Sequence, residues 1–364
     1  MQTLTTHDAA LLTPCAHGGP LFRARFKASA EDFCVSEQLN LEFTGTGEHL
    51  YLHIEKTGRN TSDLVKGLAR CFGVPKKDIG VAGMKDKHAV TSQWVSVLSP
   101  QDVQPLVQWL ASDDAPPFRL LDSARHSKKL RSGAHTGNRF VIRLTEVEPL
   151  VCCEALHETV SNRIQQLVHQ GFPNYYGPQR FGKAGNNLRS AITWLTAGDS
   201  IASMARDKRS LYLSAVRSAA FNRVLAARVQ AGTWNRLRAG DLCMLDGTRS
   251  VFTATDEEFA ATQARMDAFD VHPSSPLIGD GEWMSTGNAK AIDQAVLTAD
   301  AHHEALVKAL TKMRVEASHR ATRALCKDLN HRWLDEKTLE ISMGLAPGVF
   351  ATTLLAELFV ENTE

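Results

Sequence analysis

Asp86 stands between Lys85 and Lys87 within residues 83–93, whose sequence is Gly-Met-Lys-Asp-Lys-His-Ala-Val-Thr-Ser-Gln. Neighbouring cations favour the ionised form of a carboxylic acid and lower its pKa. An ionised carboxylate is a poor general acid, but it can act as a nucleophile or as an electrostatic stabiliser. Charged turns are also common on protein surfaces. The spacing alone leaves open whether this stretch is a reactive loop or a solvated turn.

The residues on either side predict that two strands hold this stretch. Ile79 and Val81 precede it with a spacing of two, and apolar residues alternate from Gln93 to Val97 after it. Gly83 allows a sharp turn of the backbone after the first strand. The carboxylate between the two lysines is therefore expected on the loop of a hairpin.

A second candidate region couples basic residues to a predicted strand. Residues 125–131, Arg-His-Ser-Lys-Lys-Leu-Arg, precede a strand from Gly137 to Leu144 that carries Asn138 and Phe140. Cations can hold phosphates, an amide can recognise a base edge, and an aromatic ring can stack on a base. This combination suits RNA. A solvated loop followed by a strand with a core phenylalanine is the alternative.

Charge is unevenly distributed along the chain. The chain has 364 residues, enough for two domains, and a formal net charge of +1. Residues 125–144 and 210–240 contain basic residues and no acidic ones, whereas residues 256–304 are predominantly acidic. If the basic segments share a face, that face can follow a phosphate backbone. If they do not, they are ordinary solvated surface.

Composition excludes several classes of protein. The seven cysteines form no C-x-x-C pair and are odd in number, which argues against a disulfide framework or a zinc ribbon and favours a reducing cytoplasm. No H-E-x-x-H or G-x-S-x-G motif is present. The N-terminus shows no secretory signal, and the longest uncharged stretch, 341–356, is too short to span a bilayer. A soluble, cytoplasmic protein without a metal site is expected.

Periodicity and turn residues predict several other elements. Residues 1 to about 20 show no periodicity and are predicted to be loosely structured. A helix is expected to start at a cap formed by Asn60 or Thr61 and to end at Gly73. Asp246-Gly247 predicts a hairpin turn, and His272-Pro-Ser-Ser-Pro276 predicts a loop.

Several stretches, taken together and in order over nearly the whole chain, resemble the tRNA pseudouridine(13) synthase family, the D class of pseudouridine synthases. The most specific is the pattern G-x-K-D-x-x-A-x-T-x-Q at residues 83–93. The other stretches are Glu31-Asp32-Phe33, Gly47-Glu48-His49, Lys56 to Thr61, Gly137-Asn138-Arg139-Phe140, Asn174 to Gly182, Ser214 to Asn222 and Gly348-Val349-Phe350-Ala351-Thr352. Residues 315–320 and 275–279 follow the family pattern more loosely.

The resemblance implies an α+β fold. Its pseudouridine synthase core would have a mixed, largely antiparallel sheet flanked by helices and would comprise residues 1–170 and 318–364. An inserted α+β TRUD domain, residues 171–317, would interrupt this core and help to form an RNA-binding cleft.

The resemblance also implies an activity. The enzyme would break the C1′–N1 bond of a uridine, expected to be U13 in the D-arm region of tRNA, turn the base and join C1′ to C5. Asp86 matches the family's catalytic aspartate, which would start the reaction as a nucleophile or by removing a sugar proton. The partner would be tRNA, and neither a metal nor an organic cofactor would be required. We also expect the protein to be a monomer.

Matching positions imply a set of binding residues. Phe33, Asn138 and Phe350 would contact the target nucleotide, and Phe140 would pack on the base. We also predict that Lys27 and Lys85 bind substrate. The residues predicted to contact the RNA backbone are Arg125, Lys128, Lys129, Arg131 and Arg180.

Two rival functions stay open. One is a non-catalytic protein that binds or folds RNA on the same scaffold, although pure binding would not need the carboxylate of Asp86. The other is a nucleoside or nucleotide glycosidase, against which the basic segments favour a polymeric substrate.

Overall fold

A computed structural model describes residues 13–113, 115–150, 155–196, 204–255 and 257–362. Residues 1–12 of the predicted loose segment, and Glu154 at the start of a predicted helix, lie outside these ranges. The strands are β1 (Phe22–Phe26), β2 (Phe33–Gln38), β3 (His49–Thr57), β4 (Ile79–Val81), β5 (Val90–Leu98), β6 (Phe118–His126), β7 (Gly137–Pro149), β8 (Phe172–Pro173), β9 (Leu242–Leu245), β10 (Val251–Thr253), β11 (Val271–Leu277), β12 (Ser318–Ala321), β13 (Arg323–Ala324), β14 (Cys326–Asp335), β15 (Thr338–Leu345) and β16 (Phe359–Glu361). The α-helices are α1 (Thr61–Cys71), α2 (Gln104–Leu110), α3 (Leu156–Gln170), α4 (Asn186–Thr196), α5 (Arg206–Gln230), α6 (Phe259–Asp267), α7 (Gly287–Leu297), α8 (Ala301–Lys312) and α9 (Ala351–Leu355).

The chain divides into two compact units. The first unit comprises residues 22–164, 326–348 and 360–364, and the second unit comprises residues 1–21, 165–325 and 349–359. The predicted division into a catalytic core and an insertion at 171–317 stays a prediction.

A large mixed sheet dominates the first unit. Its strands follow the order β14-β15-β7-β2-β5-β3-β6, with β1 beside β7 and β4 beside β5. Strands β2 and β5 are parallel, and β2 pairs antiparallel with β7, which pairs antiparallel with β15. The sheet is therefore largely antiparallel, as the resemblance implied. Its order brings the β4–β5 loop close to the start of β2.

Alternating residues give the centre of this sheet two buried faces. Leu50, Leu52 and Ile54 of β3 pack with residues of α1 and α2, whereas Tyr51 contacts Trp94 in a smaller cluster. This alternation follows from the period of two along a strand. The sequence predicted helix α1 and its boundaries from its capping residues.

The ends of α1 show why that prediction succeeded. The side chain of Asn60 accepts a hydrogen bond from the backbone N–H of Asp63, whose carboxylate accepts one from the backbone N–H of Asn60. This capping box satisfies two backbone donors that have no partner within the helix. Gly73 follows the helix with a φ of 65°, a conformation that favours glycine.

The second unit combines a four-stranded antiparallel sheet, in the order β10-β9-β11-β12, with helices. Helix α5 runs for 25 residues and buries Phe221 and Leu225 in the hydrophobic core. Arg228 of the same helix is also buried, and its guanidinium donates to both oxygens of Asp241 at 2.9 and 2.8 Å. Pairing offsets the cost of removing this cation from water.

The prediction of a loop at residues 272–276 is wrong, because these residues form most of β11. Proline lacks the N–H that a central strand donates, so two prolines argued against a strand. In the structure, Val271 to Pro273 pair with β9, and Ser274 to Leu277 pair with β12. Each half of β11 therefore pairs with a neighbouring strand on one edge only. A residue without a backbone N–H is tolerated more easily there than in a strand that is paired on both edges.

No helix in the described part of the chain has the length and apolar character needed to cross a membrane. Within the same ranges, no group of three or more His, Cys, Asp or Glu side chains is placed to hold a metal ion.

Candidate active site

Asp86 lies on the loop that joins β4 to β5, as the sequence predicted. The backbone carbonyl of Asp86 accepts a hydrogen bond of 2.9 Å from Nζ of Lys56, which also donates to the carbonyl of Arg59. Lys56 is completely buried, and this burial lowers its pKa to about 8 despite the opposing effect of Asp86. A lysine from β3 thus fixes the backbone at the carboxylate. Lys56 belongs to a stretch that carries the family resemblance, but its sequence context predicted no role for it.

The side chains of Thr61 and Gln93 also hold the loop through hydrogen bonds. The backbone N–H of Lys85 donates to Oγ1 of Thr61 at 2.9 Å, and that hydroxyl donates to Oε1 of Gln93 at 2.8 Å. The amide of Gln93 also donates to the carbonyl of Gly83 at 3.4 Å. Thr61 and Gln93 are both fully buried. The glutamine that ends the G-x-K-D pattern therefore connects the two sides of the loop.

Lys85 forms a buried ion pair with Glu37 of β2. Its Nζ lies 2.5 Å from Oε2 of Glu37, and the two side chains are 6% and 0% exposed. Oε1 of Glu37 also accepts a hydrogen bond from the backbone N–H of Trp94 at 3.1 Å. The ammonium of Lys85 is thus engaged within the protein, and its contact with substrate stays a prediction. Sequence reasoning missed Glu37, which lies far from the loop in the chain and in no recognised motif.

Lys27 meets the carboxylate of Asp86 directly. Its Nζ lies 2.5 Å from Oδ2 of Asp86 and 3.9 Å from the centre of the Phe33 ring. Lys27 follows β1 with a φ of 55°, a left-handed conformation that is strained for a residue other than glycine. This local strain accompanies the placement of the ammonium between a carboxylate and an aromatic ring.

These contacts keep Asp86 ionised. Burial acts to raise the pKa of its carboxyl group, but the hydrogen bond and charge of Lys27 and the backbone N–H groups of His88 and Lys87 outweigh burial, so the pKa lies below its ordinary value. The side chain is still 41% exposed. An ionised carboxylate on a braced loop, with part of its surface open, can attack a substrate or remove a proton from one.

Aromatic rings lie beside this carboxylate and its lysine. Phe33 of β2 and Phe140 of β7 have ring centres 6.0 Å apart, and Phe26 contacts Phe33 edge to face at 5.5 Å. The register places Val35 opposite Phe140, so Phe33 and Phe140 lie on the same face of adjacent strands. Both rings are more than nine-tenths buried. They form one aromatic cluster with Lys27 above it.

Asn138 lies two residues before Phe140 and therefore on the same face of β7. Its Oδ1 is a buried oxygen that accepts no hydrogen bond within the described residues. A buried acceptor without a donor is costly, and a ligand can supply the missing donor. The structure thus brings five predicted residues of the first unit into one region: Asp86, Lys27, Phe33, Phe140 and Asn138.

Phe350 and Arg180 belong to the second unit. The ring centre of Phe350 lies 5.8 Å from that of Tyr176, and the guanidinium of Arg180 lies 5.1 Å from the Tyr176 ring and 5.9 Å from the Phe350 ring. Their predicted contacts with RNA stay predictions.

The predicted basic segment begins in the last two residues of β6 and continues into the following loop. Lys128, Lys129 and Arg131 are exposed, while Leu130 between them is buried. The ammonium of Lys129 donates to the carbonyl of Lys77. The guanidinium of Arg125 donates to the carbonyls of the loop after β5. Part of the segment thus anchors local structure, and its side chains remain open to solvent.

The chain as a whole is similar to proteins of one known family. The family model described as tRNA pseudouridine synthase D (TruD) matches residues 16–200 and 195–358. A tRNA pseudouridine synthase D of Methylococcus capsulatus is 41% identical over 345 residues, which cover 95% of this chain and 93% of that protein. A tRNA pseudouridine synthase D of Xanthomonas euvesicatoria is 38% identical over 358 residues, covering 95% and 94%.

A solved structure shows the same fold. A crystal structure of a Methanosarcina mazei protein assigned to tRNA pseudouridine synthase D superimposes with a TM-score of 0.75 and 19% sequence identity, and the match covers 98% of each chain. The predicted α+β fold, with a mixed sheet flanked by helices, is confirmed.

Proposed function

Because this chain belongs to the tRNA pseudouridine synthase D family, we propose that Asp86 is the catalytic residue with which it converts a uridine of tRNA to pseudouridine. The observation that carries this proposal is the state of Asp86. Its carboxylate forms an ion pair with Lys27, which favours the ionised form and lowers its pKa. It is partly exposed and held on a loop whose backbone is fixed by buried side chains.

The chemistry requires a carboxylate and a place to hold a base. The C1′–N1 bond of the uridine breaks, the base turns, C1′ joins C5, and N1 gains a proton while C5 loses one. Asp86 starts this sequence as a nucleophile at C1′ or by removing a sugar proton. The uridine must first leave its stack, which costs roughly a few kcal/mol. Contacts made by the displaced base offset that cost.

Phe33, Phe140 and Asn138 are suited to make those contacts. The two rings offer stacking surface next to Lys27, and the unpaired Oδ1 of Asn138 can accept a hydrogen bond from an imide N–H of uracil. Confinement between such groups holds the detached base close to C1′ and so promotes recombination at C5. The reaction needs no second reagent.

We further propose that the target is U13 in the D-arm region of tRNA. The enzyme acts as a cytoplasmic monomer without a metal or an organic cofactor. Residues 171–317 form the inserted TRUD domain, and Phe350 joins the contacts to the target nucleotide.

The test is the change Asp86→Asn, which keeps the size of the side chain and removes its charge. We expect the variant to fold and bind tRNA but to lose essentially all formation of pseudouridine, because an amide is neither a nucleophile nor a base here. Purified wild-type and variant proteins are incubated with unmodified tRNA, and pseudouridine is mapped at each uridine.

Near wild-type conversion by the Asp86→Asn variant would refute the catalytic assignment. Conversion by the wild type at another uridine only would refute U13 as the target. Wild-type binding to tRNA without any conversion would instead support the rival function of a non-catalytic RNA-binding protein.

A further inference from the structure

A pocket of about 280 Å³ opens beside α5 in the second unit. Tyr176 and four residues of α5, namely Ser210, Ser214, Arg217 and Ser218, provide its polar lining. Their spacing along the helix places these four side chains on neighbouring positions of one face. Hydroxyl groups and a guanidinium are all hydrogen-bond donors, so the lining is rich in donors.

Arg217 is held firmly at the wall of this pocket. Its Nη2 donates to the carbonyls of Leu277 and Glu316 at 3.1 and 2.8 Å, and to Oγ of Ser318 at 3.3 Å. Its Nε is buried and, like Nη1, has no hydrogen-bond acceptor within the described residues. One edge of the guanidinium is therefore used by the protein, and further donors remain for a ligand.

A second guanidinium, that of Arg180, reaches the same lining. Its Nη1 donates to Oγ of Ser214 at 3.1 Å, and its Cζ lies 5.1 Å from the centre of the Tyr176 ring. The buried Nε of Arg180 also lacks an acceptor in the described part of the chain. Since Ser214 accepts from Arg180, its own hydroxyl proton is available to donate.

Neither cation is neutralised. Among the described residues, no carboxylate forms an ion pair with Arg180 or Arg217. Burial lowers the pKa of Arg217, and the group that opposes this effect is Tyr176 rather than an acid. By contrast, Arg228 on the same helix is paired with Asp241. Partly buried cations without a counter-ion favour an anionic ligand.

We propose that this pocket binds a phosphate group of the RNA backbone, with Arg217, Arg180 and Ser214 as its donors. A guanidinium presents its N–H groups in a planar fork that matches phosphate oxygens, and serine hydroxyls complete the set. The proposal rests on the proposed function, since it takes tRNA as the source of the phosphate. It adds a binding site in the second unit, separate in kind from the contacts to the target base.

The test compares two variants of nearly equal shape, Ser214→Asp and Ser214→Asn. The aspartate places a negative charge between the two cations and repels a phosphate, whereas the asparagine is neutral. We expect Ser214→Asp to bind tRNA about tenfold more weakly than Ser214→Asn in low salt. The slope of log affinity against log salt concentration should also be shallower by about one, as for one lost phosphate contact.

Thr248→Asp serves as the control for a change in net charge, because Thr248 is exposed on the turn between β9 and β10. It should reproduce neither effect. If Ser214→Asp fails to fold by circular dichroism, Arg180→Gln and Arg180→Lys replace it. The glutamine is then expected to weaken binding and reduce the slope, and the lysine to retain more of both.

Equal tRNA affinity and equal salt slope in the two Ser214 variants would overturn the proposal. Inorganic phosphate provides a second arm, with melting temperature as its measure. Stabilisation of the wild type by phosphate, combined with equal tRNA binding by the two variants, would show that the pocket holds free phosphate and would also overturn the RNA assignment. Failure of the wild type to bind tRNA would overturn the proposed function together with this one.

Discussion

At the scale of single residues, Asp86 owes its charge state and its position to different partners. Lys27 supplies a direct ion pair, and Lys56 holds the backbone carbonyl at the same position. Removal of either partner changes the carboxylate in a different way. Lys27 acts on its protonation, whereas Lys56 acts on its position.

The change Lys27→Met isolates the effect on protonation. The variant keeps the apolar stem of the side chain but loses the ammonium, so burial is less opposed and the pKa of Asp86 rises. Because the proposed reaction needs the ionised carboxylate, the acid limb of the pH profile of kcat/KM should move to higher pH. Lys27→Arg keeps a cation and should leave the limb near its wild-type position. An unchanged limb in Lys27→Met would contradict the role assigned to Lys27.

The same pair has a consequence for stability, with a defined sign. The pKa of Asp86 is lower in the folded protein than in the unfolded chain, where it is about 3.9. The ion pair therefore contributes stability above the unfolded pKa, and this contribution is lost as the pH falls through the folded pKa. Lys27→Met should consequently lose less stability than the wild type on acidification over this range.

The change Phe140→Leu tests whether the ring of Phe140 stacks on the base or only packs in the core. Stacking on one ring contributes about 1–3 kcal/mol per base, so Phe140→Leu should lower kcat/KM by roughly ten- to a hundredfold. The melting temperature should fall only modestly, because a swap of similar volume costs under about 1.5 kcal/mol. Affinity for whole tRNA should hardly change, since phosphate contacts dominate it. A large loss of melting temperature with an unchanged single-turnover rate would show that Phe140 is only a core residue.

At the scale of elements, the sheet order of the first unit explains how the loop is braced. Strand β2 lies between β5 and β7, so the start of β5, and with it the β4–β5 loop, is adjacent to β2. Glu37 of β2 uses this position to bind Lys85 and the backbone of Trp94. The ion pair joins the loop to the strand that carries Phe33.

Removing only one partner of this buried ion pair should destabilise the protein more than removing both partners. Lys85→Met leaves the Glu37 carboxylate buried without its cation, which we expect to lower the free energy of unfolding by about 3–5 kcal/mol. The double variant Glu37→Gln/Lys85→Met removes both charges and should lose less than the sum of the two single variants. Urea titrations of all four proteins provide the measurement. Strict additivity would show that the two groups do not interact.

At the scale of the whole molecule, the structure shows that the two basic segments differ in how far their cations are exposed to solvent. In residues 210–240, Arg228 is buried against Asp241, and the largely buried Arg238 pairs with both Asp241 and Asp293. Residues 128–131 instead expose their cations. The net charge of the sequence therefore overstates the cationic surface of residues 210–240. It represents the cationic surface of residues 128–131 well.

Charge reversal of Lys128, Lys129 and Arg131 tests the exposed segment. The triple change to Glu should weaken tRNA binding and make its salt dependence shallower by up to about three, one unit for each lost phosphate contact. The matched control reverses three scattered exposed lysines, Lys66, Lys312 and Lys337, and changes the net charge equally. If both triple variants bind alike, the segment is only solvated surface.

The sequence by itself determined the local features of this protein. Alternation of apolar residues predicted the strands around the β4–β5 loop, and the capping residues predicted α1. Such signals are local, because side-chain direction repeats every two residues in a strand and every 3.6 in a helix. The pattern around Asp86 likewise placed the candidate carboxylate on its loop and indicated the family.

Only the tertiary structure decided which residues act on that carboxylate. Lys27 lies 59 positions from Asp86, and Glu37 lies 48 positions from Lys85, so no local period connects them. Their meeting depends on the order and register of β2, β5 and β7, which follow from long-range pairing. The strand β11 shows the same limit, since it contains two prolines and its pairing partner changes halfway along its length, which no local pattern predicts.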